Sequence, residues 1–313
     1  MACRYREENR QEYGRTLRIL TLENGLISAQ VQPWDGGRVT SLYDRRKQHE
    51  HIWTNPRTRH LSRTYAANYD DLSASGIEEA FPTVGSCRVA GATLPFFGEV
   101  WSVPWDYRIL SCIDDEIVLE LSCYSSIYPA RVTKTLRMQA NSPDLTTDYE
   151  IINLGADIFP FVFGVHPSIC LSPGAAIDLP EGEYRVEFLH PSDQETARIF
   201  QWPNYGAIDL SKSGRPDDNR CFNFLTEKVN RGIYRFTDAG SESCLAIEFD
   251  HSYFPCLSIW LIYGGWRGYY CAMTEFFTSW PAALDKAQKA GLSKTLSPGE
   301  KARTSVKYSI SSN

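Results

Sequence analysis

The segment Ile117-Val-Leu-Glu-Leu-Ser-Cys123, followed by Ala130-Arg-Val-Thr-Lys-Thr-Leu-Arg-Met138, decides the fold class. In the first run Ile117, Leu119, Leu121 and Cys123 fall on one side, a period of two that belongs to a half-buried strand. In the second, Arg131, Thr133, Thr135 and Arg137 alternate with Val132, Lys134, Leu136 and Met138. That polar row reads either as the wet face of a sheet or as a lining able to hold sugar hydroxyls. Lys134 stands on the apolar side and calls for a buried partner.

Residues 26–32 repeat the alternation, and Glu23-Asn24-Gly25 before them supplies a tight turn that pairs them with residues 15–22. Similar runs occupy 107–112, 145–152, 159–166, 184–189, 232–236, 244–249, 257–262, 269–276 and 303–310, punctuated by Gly, Pro, Asn and Asp. Helical periodicity is confined to 282–290, closed by Gly291. Stretches 55–86 and 191–230 carry no clear period and read as functional loops. The expectation is an all-β protein, a large antiparallel β-sandwich with one short helix, formed by residues 1–313 as a single domain.

Composition narrows the function. The chain has 313 residues, 42% hydrophobic and 13% aromatic, enough to build a large core. A net charge of -6 offers no basic field for phosphate backbones, so nucleic acid is not an expected partner. The longest apolar run, 159–165, falls far short of a bilayer span and excludes a membrane helix. The charged N-terminal stretch does not resemble an export signal, so a cytoplasmic location is expected. Nine singly placed cysteines without a C-x-x-C pair read as reduced thiols. The six histidines lack metal-ligand spacing, so no metal and no cofactor is expected, and His49 and His51 read as a solvated loop.

Two places can carry chemistry. In Phe159-Pro-Phe-Val-Phe-Gly-Val-His166-Pro167 a strand ends on a histidine that shares its face with Gly164. The missing side chain leaves room for a ligand, and a core histidine bonded to a carbonyl is the other reading. In Tyr269-Tyr-Cys-Ala-Met-Thr-Glu275 a carboxylate shares strand parity with Cys271 and Met273. Desolvation there would raise its pKa toward general-base territory, whereas a Glu leaving the strand into solvent would be inert. Trp101, Trp105, Trp260, Trp266 and Trp280 are candidates either for stacking on a pyranose or for ordinary packing.

With these residues laid out, the chain resembles the galactose mutarotase-like superfamily, in particular the aldose 1-epimerase family. The likeness runs through Leu22-Glu-Asn-Gly25, Val31-Gln-Pro-Trp-Asp-Gly-Gly-Arg-Val-Thr-Ser-Leu42, Gly76-Ile-Glu-Glu-Ala-Phe-Pro82, Gly98-Glu-Val-Trp101, Phe163-Gly-Val-His-Pro167, Thr274-Glu275 and Leu296-Ser-Pro-Gly-Glu300. The resemblance implies a β-supersandwich that binds a hexose and interconverts its α and β anomers without a cofactor. It puts the base that takes the C1 hydroxyl proton on Glu275 and the ring-oxygen acid on His166, with Glu ionised and His protonated beforehand. Phe97 stands where the family carries a second histidine. His251 is a possible substitute, and Arg38, Asp70, Asp71, Glu79 and Trp260 are candidates for substrate recognition. Two alternatives stay open: a hexose-6-phosphate mutarotase using Arg38, Arg131 and Arg137, and a non-catalytic carbohydrate-binding module. An acidic-sugar lyase or isomerase is more distant.

Overall fold

A computed structural model describes residues 2–12, 14–89, 91–191 and 198–312. The period-two runs become strands with the alternation the sequence predicts. Ala130–Gln139 buries every second residue from Ala130 to Met138, and Asp144–Asn153 does the same in the opposite phase. Among the described residues these strands belong to an eight-stranded sheet, in which Glu116–Tyr124, Ala130–Gln139, Asp144–Asn153 and Lys301–Ser312 lie side by side, all antiparallel.

The second sheet has fourteen strands among the described residues. Its middle runs Arg38–Asp44, Ile77–Ala80, Gly164–Cys170, Tyr270–Phe277, Cys256–Tyr263 and Arg220–Thr226. These central strands are covered on both faces. Val165, Phe276, Leu257 and Leu22 face the smaller sheet and join its Leu119, Leu136 and Ile151 in one continuous core. The outer face carries two further apolar clusters, one around Phe97, Trp101, Phe277 and Leu284, the other around Cys221, Ile262 and Cys271.

Local chemistry explains the turns. Asn24 is buried, its side-chain oxygen accepting from the N–H groups of Leu26 and Ile27 while Nδ2 donates to the carbonyls of Gln139 and Ser142. One side chain thus closes the hairpin and ties the two sheets together. Gly36 has a φ of 68°, and a Cβ there would collide with the Trp101 carbonyl, so the Gly36-Gly37 step brings Arg38 up against the 100–105 segment as only glycine allows.

Three expectations change. The run 159–166 is two elements: Phe159–Phe161 pairs with Lys294–Leu296, and Gly164–Cys170 enters the large sheet. The unpatterned stretch 55–86 contains a second helical turn, Tyr69–Leu72, and the central strand Ile77–Ala80, while 191–230 holds several strands of the large sheet, including Arg220–Thr226. Ile77-Glu-Glu-Ala80 does not read as a strand because two carboxylates occupy it, and their charges are answered only by distant residues. His51 is buried rather than solvated, with Nε2 2.9 Å from Ser243 Oγ. The cysteines are all free, as expected.

Glu79 faces the core. Lys134 Nζ donates to both its oxygens at 2.7 and 2.8 Å, and Tyr149 donates at 2.9 Å. Glu79 is therefore not available to a sugar, and Lys134 finds the partner its position requires. Lys134→Met should destabilise the fold by about 3–5 kcal/mol, because Glu79 is left buried and unpaired, and the double variant Lys134→Met/Glu79→Leu should recover most of that loss. Urea unfolding of the two variants checks this, and a double variant no more stable than the single one contradicts the pairing.

Candidate active site

Register brings the two candidate residues together. Gly164 opposes Phe277, Val165 opposes Phe276 and Ser168 opposes Met273 on neighbouring antiparallel strands. The same register sets His166 opposite Glu275 on one face of the sheet, where directly opposed Cβ atoms lie about 5 Å apart. The ladder loosens at this point because Pro167 has no N–H to donate, and Thr274 Oγ1 instead donates to the Pro167 carbonyl at 3.2 Å. Across the sheet the row reads Glu78, His166, Glu275, Ser258.

That row crosses the outer face between the two apolar clusters. Phe277 lies on one side of Glu275, Met273 and Cys271 on the other. Glu275 is only partly covered as a residue, but its Oε1 is enclosed with no hydrogen-bond partner among the described residues. Burial pushes its carboxyl up to about 8. His166 is 5% exposed, and burial, opposed by the nearby Glu78 carboxylate, lowers its imidazole to about 4. At neutral pH the site therefore holds a carboxylic acid and a neutral imidazole. This reverses the expected starting state, because neither group has a counter-charge strong enough to offset its desolvation.

Behind His166 stands a chain of polar groups. Tyr69 Oη lies 3.2 Å from His166 Nδ1 and donates to Glu78 Oε2 at 2.7 Å. Glu78 also accepts from Ser73 Oγ and from Arg38. Burial alone would raise the Glu78 carboxyl, but Arg38, His166, the Tyr69 hydroxyl and Arg63 together hold it below the usual carboxylate range. Arg38 is fully buried and spends its donors on Glu78, Asp35 and the carbonyls of Asp35, Ser75 and Trp101. It organises Glu78 and has no free face for a sugar. Asn68 caps the Tyr69–Leu72 turn, its side chain accepting from the Asp71 N–H, and so fixes the direction of Tyr69.

The remaining candidates scatter. Phe97, at φ 65°, stacks on the Tyr69 ring at 3.8 Å and meets the His166 ring edge-on at 5.1 Å, so it is an apolar wall of the same cluster. Trp260 opposes Met273 on the same face and packs with Phe188 and Trp266. Asp71 is exposed and ion-paired with Arg267 at 3.0 Å, and Asp70 is exposed beside it. His251 is exposed in the turn after Ser243–Phe249, outside the cluster. Trp101 and Trp105 are core residues. The gap beside Gly164 is not open to a ligand, since Val84, Phe277 and Ala80 occupy the surroundings of its missing Cβ.

Arg131 and Arg137 stand on the outer face of the smaller sheet, Arg137 paired with Glu116, so the three arginines considered for a phosphate do not meet. Thr133 and Thr135 line a groove of about 550 Å³ there with Asp148, Glu150 and Arg303. Tyr69 and Glu78 were not among the sequence candidates: Tyr69 lies in a stretch without a period, and Glu78 stands in the Gly76–Pro82 motif without a signal that separates it from Glu79.

The fold is shared with solved structures. The Slr1438 protein from Synechocystis sp. PCC 6803 matches with a TM-score of 0.72 at 18% identity, covering 98% of this chain and 100% of that one. A galactose mutarotase-like protein from Clostridium acetobutylicum matches at 0.71 and 14% identity, covering 100% and 99%. A Klebsiella pneumoniae protein provisionally named an aldose 1-epimerase matches at 0.75 and 13% identity, covering 99% and 83%. No protein-family profile and no curated protein matches the sequence. At these identities the likeness establishes architecture, and on that basis the chain has the galactose mutarotase-like fold.

Proposed function

We propose that this protein interconverts the α and β anomers of a free aldose by acid/base ring opening. The observation that supports this most is the placement of His166 opposite Glu275, two titratable groups on one sheet face between apolar clusters. A hemiacetal needs one proton removed at the C1 hydroxyl and one delivered to the ring oxygen, and a facing acid and base can do both at once.

The proton inventory favours a definite order. In the resting site the proton is on Glu275 and the imidazole is neutral. Ring opening then uses His166 to accept the C1 hydroxyl proton as C1=O forms. The C1–O5 bond breaks and O5 takes the proton of Glu275. Rotation about C1–C2 and reclosure by the reverse transfers give the other anomer. No step calls on a cofactor. Trp260 supplies apolar surface for the C–H face of the sugar.

A non-catalytic sugar-binding role is the second reading, and Phe97 is the observation that favours it, since a phenyl ring polarises nothing. Mutarotation of freshly dissolved α-D-glucose, α-D-galactose and glucose 6-phosphate, followed by polarimetry, separates the readings. Turnover is expected, with Glu275→Gln and His166→Ala each lowering it by about 100-fold or more. Sugar binding without acceleration over buffer supports the binding role, and unaltered turnover in Glu275→Gln refutes the assignment of the carboxyl.

The same proton affinities make stability depend on pH. Glu275 binds its proton up to about pH 8 when folded but only to about 4.5 when unfolded, so stability falls as pH rises across that window. His166 acts in the opposite sense below 6.5, where the unfolded chain takes up a proton that the folded chain refuses until about pH 4. Between pH 6.5 and 8 Glu275 acts without that opposition, with a slope of about 1.4 kcal/mol per pH unit. Urea unfolding at the two pH values should show wild-type protein losing about 2 kcal/mol more than Glu275→Gln. Equal losses would mean that Glu275 is ionised in the folded protein.

A further inference from the structure

We infer that Tyr69 is a positioning residue that, with Glu78, locks His166 in the tautomer carrying its proton on Nδ1, so that Nε2 is the proton acceptor facing the sugar. This deepens the proposed function and rests on it for its catalytic meaning, although the tautomer itself does not.

The assignment follows by elimination among donors and acceptors. Glu78 receives Arg38, Ser73 and Tyr69, which makes it an ionised carboxylate that can only accept. The single hydroxyl proton of Tyr69 is directed at Glu78 Oε2, 2.7 Å away. The Tyr69 oxygen can then only accept at His166 Nδ1, 3.2 Å away, and Nδ1 must carry hydrogen. Burial and the adjacent Glu78 charge both hold the phenol protonated. The groups facing His166 are therefore Tyr69 and Phe97 from the covering segments, Glu78 from one neighbouring strand and Glu275 from the other, with Arg38 behind Glu78.

The device also serves the charged state. When His166 accepts the C1 proton it becomes an imidazolium, and Glu78 Oε2 lies 3.9 Å from Nδ1. The negative charge that stabilises the imidazolium is thus in place before the proton arrives, held by Arg38, with Tyr69 as the link that keeps the ring oriented. Phe97 stacked flat on Tyr69 restrains that link. In this view the phenylalanine at the family's second histidine position supports the tyrosine, not the sugar.

The test reads the tautomer directly. Nitrogen-15 NMR of the full chain labelled at histidine, assigned with His166→Gln, should show His166 of the wild type protonated on Nδ1 and unprotonated on Nε2 at pH 7. A wild-type spectrum with the proton on Nε2 overturns the proposal whether or not any variant folds. Tyr69→Phe keeps the ring that packs on Phe97, and should move His166 to mixed tautomers while lowering mutarotation kcat by about 10-fold with KM nearly unchanged. An unchanged tautomer in folded Tyr69→Phe also overturns it. If no sugar is turned over, the tautomer result still decides this inference, and only the proposed activity fails.

Discussion

Two consecutive carboxylates on one short strand hold this structure together. In Ile77–Ala80, Glu78 points to the outer face and meets Arg38, while Glu79 points to the core and meets Lys134. All four side chains are essentially excluded from water. A slip of one residue would exchange the two faces and leave four buried charges unpaired, at a cost no local adjustment could offset. The strand Ile77–Ala80 joins Arg38–Asp44 to Gly164–Cys170, so its register carries directly to His166.

The consequence for the site is a division of labour between ion pairs and apolar surface. Charge is fixed where the chain needs a rigid reference, at Arg38, Glu78 and Asp35, with Arg63 adding a second contact to Asp35. It is withheld where the proposed reaction moves protons. Glu275 faces Ser258 on one side and His166 on the other, with hydrocarbon above and below along its strand. Desolvation leaves both groups neutral, with proton affinities within a few pH units of each other, the condition that the proposed proton exchange with a hemiacetal requires. A closer cation beside Glu275 would have pinned the proton elsewhere.

Much of the fold is legible in the sequence. The alternating runs and the Asn24-Gly25 turn act through neighbours in the chain or through burial alone, and each corresponds to an observed element. The candidate pair His166 and Glu275 is legible for a similar reason, since Gly-Val-His-Pro and the parity of Glu275 with Cys271 and Met273 are local signals. Ile77–Ala80 is not, because a strand bearing two acids looks like a solvated loop until its partners are known. Tyr69 is hidden too, lying in a four-residue helical turn that the sequence presents as part of an aperiodic stretch.

Which residues alternate and where the chain turns can be read from the amino-acid order, and with them that two antiparallel sheets pack around an apolar core. Which charged residues answer one another is set only once the chain is folded. Arg38 and Glu78 are 40 residues apart, Lys134 and Glu79 are 55 apart, and Tyr69 and His166 are 97 apart. Periodicity reports only whether a side chain faces water or protein. A buried charge is specified by the particular group opposite it, and that group is set by the register of strands distant in sequence.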